Sequence, residues 1–164
     1  MAENWTPPTA GERRRILERS RSVAVVGASA NPARASNFVL TYLLSSSADF
    51  DVYPVNPRAM GTEIGGRTVY GSLAEVPVVP DIVDVFRRSE ELPAMADEAI
   101  AVGASVFWAQ LGLRSDEAAH RCMVAGLDVV MDRCLKIEHA RFAGGLHLAG
   151  FDTGVISSRR GPGS

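Results

Sequence analysis

The residues best suited to chemistry in this chain are small, polar or cationic, and they cluster where apolar runs end. Val23-Ala24-Val25-Val26 leads into Gly27-Ala28-Ser29, and beyond Asn31 and Pro32 come Arg34 and Ser36. A glycine turn that opens a helix presents unpaired N–H groups and the positive end of the helix dipole, which together favour a phosphate. Ser29 adds a hydroxyl, and Arg34 and Ser36 are placed to reach an anion from the helix start. Pro32 has no N–H to donate, so Gly27, Ala28, Ser29 and the turn around Asn31 are expected to do the phosphate holding. The plainer alternative is the strand-to-helix turn of any parallel α/β fold, because one glycine-rich turn is a weak motif.

The end of the second apolar run narrows the ligand. A dinucleotide fingerprint would read GxGxxG, with an acidic residue about twenty positions on to accept from the ribose hydroxyls. Here Ser29 and Pro32 stand at the second and third glycine positions, and the second run closes as Tyr53-Pro54-Val55-Asn56-Pro57-Arg58. An amide and a cation in place of a carboxylate suit a phosphorylated ribose, so NADP with its 2′-phosphate and coenzyme A with its 3′-phosphate both qualify. Arg58 is suited to a forked phosphate contact and Asn56 to the ribose or adenine edge. The alternatives are a turn signal for Asn56-Pro57 and a solvated side chain for Arg58.

Further cations and an amide fall at later strand ends. Phe86-Arg87-Arg88 follows the third strand and Trp108-Ala109-Gln110-Leu111-Gly112 ends the fourth. Ligands of open parallel sheets bind at that edge. Arg87 is therefore expected near the anion, Gln110 is expected to line the pocket, and Trp108 to line it or to fill the interface between layers. Phe86 packs on an adenine or on the core, and Arg88 either faces the same anion or is an exposed residue leading into a helix capped by Ser89. Among the three histidines, His120, His139 and His147, none stands beside a legible nucleophile. No catalytic residue is assigned, and the two cysteines, Cys122 and Cys134, have no metal-ligand spacing.

The elements that must position these groups alternate. Strands are expected at Ser22–Val26, Asp51–Val55, Ile82–Phe86, Ser105–Trp108 and Asp128–Met131, with helices at Ser36–Leu44, Glu90–Val102 and Asp116–Ala125. Continuously apolar strands alternating with helices imply parallel βαβ units, hence a Rossmann-like three-layer α/β/α sandwich. Gly103 and Gly126 sit where helices take a left-handed C-cap. An N-terminal helix segment is expected over 1–19, its helical residues Thr9 to Arg19, with a Thr9/Glu12 capping box and Arg13-Arg14-Arg15 read as a solvated face. The segment between the second and third strands is turn-rich, with Thr68-Val69-Tyr70 a short strand and a short helix capped by Ser72. The main domain is expected over 20–140, and 141–164 reads as an arm with a disordered end, docked through Leu146, Leu148 and Phe151.

At 164 residues, with 46% hydrophobic and 22% charged side chains, the chain fits one domain with a real core. A net charge of −2 gives no electrostatic case for nucleic acid. No signal peptide and no apolar run long enough to span a membrane is legible, so a cytoplasmic protein is expected.

With Gly27-Ala28-Ser29, Val55-Asn56-Pro57, Val85-Phe86-Arg87, Trp108-Ala109-Gln110-Leu111-Gly112 and Met131-Asp132-Arg133-Cys134 in this order, the chain resembles the small stand-alone CoA-binding proteins. These in turn resemble the CoA-binding domain of succinyl-CoA synthetase alpha subunits and of ADP-forming acyl-CoA synthetases. The similarity covers Ser20 to Glu138. It implies a Rossmann-like fold binding coenzyme A, or an acyl-CoA, through its nucleotide end. The contacts it implies are Gly27, Ala28, Ser29, Pro32, Val55, Asn56, Arg58 and Phe86, with Arg87 nearby. The catalytic half of the synthetases has no counterpart here, so a binding protein without catalysis of its own is expected. The alternatives are an NADP-dependent oxidoreductase and the CoA-binding subunit of an acyl-CoA synthetase or acyltransferase working with a separate chain; a homo-oligomer is a further expectation. Cys134 reads either as a packed thiol or as one able to exchange with the CoA thiol.

Overall fold

The computed structural model describes residues 5–45 and 48–143. Its first helix, α1 (Ala10–Arg19), begins at the expected capping box: the Thr9 hydroxyl accepts from Glu12 N–H at 3.2 Å, and Glu12 accepts from Thr9 N–H at 2.7 Å. Then follow β1 (Ser22–Val26), α2 (Ala35–Leu43) and β2 (Asp51–Val55). A two-residue hairpin, β3 (Glu63–Ile64) and β4 (Arg67–Thr68), comes next. The remainder is β5 (Ile82–Val85), α3 (Leu92–Val102), β6 (Val106–Ala109), α4 (Asp116–Val124), β7 (Asp128–Val130) and α5 (Leu135–Ala143).

Five strands form one parallel sheet in the order β2-β1-β5-β6-β7. Alternate residues of these strands feed two cores. Val83, Val85, Phe107 and Ala109 pack with Leu92, Ala96 and Ala119 of α3 and α4. Val23, Val25, Ile82 and Trp108 pack with Ile16, Leu40 and Leu135 of α1, α2 and α5. Because both faces are covered, the central strands are buried throughout, which is why they read as apolar runs rather than as alternating ones. The chain runs from β1 outward to β2, then returns to β5 on the other side of β1. This reversal opens a crevice beyond the carboxyl ends of β1 and β5.

Four local expectations need correction. Thr68-Val69-Tyr70 is not a single strand: Arg67–Thr68 pairs in the hairpin, and Tyr70 forms one parallel bridge to Val55. The segment after Ser72 is one 3₁₀ turn, Leu73–Glu75, and the Ser72 side chain does not cap it. Arg13 does not lie on a solvated face: it is 6% exposed and its Nε meets Glu138 Oε1 at 2.5 Å. The helix α5 was not expected at all. It buries Leu135, Glu138 and His139, so two of its three inward positions are polar and no apolar stripe marks it. It also runs through the expected boundary at residue 141; the rest of that arm, with Leu146, His147, Leu148 and Phe151, lies outside the described residues.

Candidate functional site

The glycine turn after β1 does something other than its sequence suggests. Gly27 has φ +87°, and a Cβ there would stand 2.6 Å from the Phe86 carbonyl oxygen, so only glycine lets the end of β5 approach this closely. Its N–H and that of Ala28 both donate to the Val55 carbonyl, at 2.8 and 3.2 Å. Those amides tie β1 to β2 and are not left for a phosphate. Ala28 and Val55 are themselves buried, so they shape the turn from beneath.

Asn56 is similarly committed. Its Nδ2 donates to the Ala28 carbonyl at 2.8 Å and its Oδ1 accepts from Arg58 N–H at 3.0 Å. It bridges the loops after β1 and β2 and fixes the backbone at Arg58. Ser29 Oγ accepts from Asn31 N–H at 3.1 Å, and Asn31 Oδ1 accepts from Ala33 N–H at 2.9 Å. This chain of short turns carries the backbone into α2 without a conventional cap: Arg34 occupies the N-cap position and makes no side-chain cap bond. Arg34 and Asn37 N–H are taken up by the Asn31 and Arg34 carbonyls, while the Ala35 and Ser36 amides, without a partner among the described residues, retain donor capacity beside the positive end of the helix dipole.

An open cleft of about 700 Å³ lies over these ends. Gly27, Ser29, Arg34, Ser36, Asn56, Arg58, Phe86, Arg87 and Gln110, all singled out from the sequence, line it. Ala35, Arg88, Glu91, Leu111 and Leu113 line it as well. Glu91 was missed although its spacing from Arg87 is the signal. Arg87 Nε and Nη2 donate to Glu91 Oε1 at 3.1 and 2.7 Å, and Arg88 Nε donates to Oε2 at 3.3 Å. The hydrogen bonds from Arg87, then those from Arg88, hold the Glu91 carboxyl below the usual carboxylate range. Arg34 and Arg58 have no carboxylate within ion-pair distance among the described residues.

Besides Ala28 and Val55 beneath the turn, two more expected contacts do not line the cleft. Pro32 is exposed beyond the cleft. Trp108 is fully buried in the core on the α2 side, with its indole N–H donating to the Arg133 carbonyl at 2.8 Å. A tryptophan one residue before the strand end faces the helical layer, whereas Gln110, one residue past it, reaches the edge. Beneath Gln110 lies Asp84 of β5, fully buried; its Oδ1 accepts from Gln110 Nε2 and its Oδ2 has no hydrogen-bond partner among the described residues. Burial pushes the Asp84 carboxyl up to about 8, against the Gln110 hydrogen bond, which lowers it.

The other titratable candidates lie apart from the cleft. His139 is buried, with Nδ1 2.7 Å from Tyr42 Oη and its ring edge-on to Phe50, and burial lowers its pKa. Cys134 is half-buried against the core on the α2 side and does not line the cleft. Among the described residues no group of three His, Cys, Asp or Glu is arranged to hold a metal ion, and no helix is long and apolar enough to cross a membrane.

Comparison with known proteins places the chain. Residues 21–140 match the family described as CoA binding domain. The uncharacterized protein YneT of Bacillus subtilis is 42% identical over 133 residues, covering 81% of this chain and 96% of that protein. A solved structure of a hypothetical protein from Pyrococcus horikoshii superposes with a TM-score of 0.78 at 37% identity, over 87% of this chain and 99% of that one. Subunit alpha of an ADP-forming acetate–CoA ligase from Pyrococcus furiosus is 32% identical over 92 residues, which are 55% of this chain and 20% of that protein.

Proposed function

The chain belongs to the CoA-binding domain family, and from that premise we propose that its cleft holds coenzyme A, free or acylated, by the 3′-phosphorylated ADP end. The observation that carries this reading is that Arg34, at the uncapped N-terminus of α2, and Arg58 line one cleft, both without carboxylate partners among the described residues. Coenzyme A brings a pyrophosphate and a 3′-phosphate. The helix terminus and Arg34 suit the pyrophosphate, and Arg58 suits the phosphate on the ribose. Phe86, half-buried in the cleft wall, offers a flat apolar face for the adenine.

The protein acts in this reading as a binding module and not as a catalyst. The activity of the related ligase subunit is not carried over, since the chain spans 20% of that protein's length. The test is calorimetry with coenzyme A, dephospho-coenzyme A and NADP. Loss of the 3′-phosphate is expected to weaken binding 10- to 100-fold, about 1.5–3 kcal/mol for a charge-assisted contact. Arg58→Ala is expected to erase that difference. Equal affinity for the two coenzyme forms, or tighter binding of NADP, overturns the reading.

A further inference from the structure

We propose that Asp84 is a positioning residue which locks the Gln110 side chain so that its carbonyl oxygen accepts from an amide N–H in the uncharged arm of the ligand. This rests on the reading that the cleft holds coenzyme A. Asp84 lies mid-sheet, in register with Val25 on β1 and Trp108 on β6, where an aliphatic residue would pack without cost. A carboxyl group in such surroundings costs stability unless it holds something. What it holds is Gln110, through Nε2.

The rest of Gln110 is already fixed. Its N–H donates to the Val85 carbonyl at 3.3 Å, and its carbonyl accepts from Leu113 N–H at 2.9 Å. Only the side-chain torsions remain free, and the bond to Asp84 sets them. Gln110 is 5% exposed and lines the cleft; one Nε2 hydrogen is committed below to Asp84, and Oε1, which has no partner among the described residues, is the acceptor left to a ligand. An acceptor there calls for a donor on the ligand.

The spacing of the sheet says which part of the ligand that is. Neighbouring strands stand about 4.8 Å apart, so Gln110 lies two strands, roughly 10 Å, from the Gly27 turn and roughly 14 Å from the end of β2 that carries Arg58. With its phosphates held at β1 and β2, coenzyme A would extend its pantetheine arm in this direction. That arm carries two amide N–H groups before the thiol. Leu111 and Leu113 supply apolar wall beside Gln110 for the methylenes between them. Neither the thiol end nor the phosphates present such a donor.

The experiment compares coenzyme A with adenosine 3′,5′-bisphosphate, which lacks the arm, on the wild type, Gln110→Leu, Asp84→Leu and Asp84→Asn. Gln110→Leu and Asp84→Leu are expected to lose about tenfold in affinity for coenzyme A and to stay within about twofold of the wild type for the bisphosphate. Asp84→Asn keeps an acceptor oxygen beneath Gln110 and is expected to restore coenzyme A affinity to within about threefold. Equal weakening toward both ligands, which a merely structural role would produce, overturns the inference, as does unchanged affinity for coenzyme A. A wild type that takes up the bisphosphate while the variants show no selective loss sinks this inference alone; one that takes up neither ligand sinks the coenzyme reading with it.

Discussion

Where β1 and β2 end, Arg34 and Arg58 face the cleft with no carboxylate beside them among the described residues. Where β5 and β6 end, the polar groups are already partnered: Arg87 and Arg88 share Glu91, and Gln110 is held by Asp84. The two sides of one cleft thus offer different things. Free cations supply attraction that any phosphate feels, at a range set by screening. Partnered groups contribute little net charge, but their directions are fixed before a ligand arrives, which lowers the ordering cost of binding. The side nearest the reversal in strand order is built to attract, and the side beyond it is built to orient.

The junction between the two sides is Gly27, and altering it should have the largest effect. Gly27→Ala puts a side chain at φ +87° and drives its Cβ into the Phe86 carbonyl oxygen. Unfolding in urea is expected to show a loss of about 3 kcal/mol, and coenzyme A binding should fall below detection because the ends of β1 and β5 separate.

The orienting side carries its own signature in acid and base. The ordinary value for an aspartate is near 3.8, and burial raises that of Asp84 to about 8. Below the lower value both folded and unfolded chains hold the proton. Between the two only the folded chain does, so the stability Asp84 contributes drains away as pH rises from about 4 to about 8. The slope is up to about 1.4 kcal/mol per pH unit for one proton. Chemical denaturation at pH 5, 6 and 7 should show wild-type stability falling relative to Asp84→Asn, whose difference from the wild type narrows or reverses with pH. A constant difference would mean that Asp84 is ionised in the folded protein.

The smallest effect sharpens the contrast. Glu91→Gln releases Arg87 and Arg88 and makes the orienting side resemble the attracting one. Coenzyme A affinity is expected to rise about two- to fivefold at low salt, with the gain shrinking as ionic strength increases, because partly exposed pairs are screened. No gain at low salt would show that the two arginines do not face the ligand's charge.

Much of this was legible in the chain. The strands are near-continuous apolar runs because both sheet faces are covered, and the helix ends carry local signals, from the Thr9 and Ser115 caps to Gly103 at φ +82°. The clustering of Gly27, Arg34, Arg58, Arg87 and Gln110 follows from a simple rule: residues just past the carboxyl ends of parallel strands share one edge. The helix α5 stayed hidden because two of its three buried positions are Glu138 and His139. A pattern that counts apolar residues does not see a helix docked through an ion pair to Arg13.

The order of residue types along the chain therefore determined the layers, the sheet edge that carries the cleft and the phosphate-like chemistry of its cations, because each depends on spacing of a few residues. Tertiary structure alone decided which groups remain available. That the amides of Gly27 and Ala28 are spent on Val55, that Asn56 is a brace, that Trp108 turns inward and that Asp84 stands beneath Gln110 all depend on partners from strands or loops 20 or more residues apart in the chain. A hydrogen bond leaves no mark at either of its ends until folding brings them within reach.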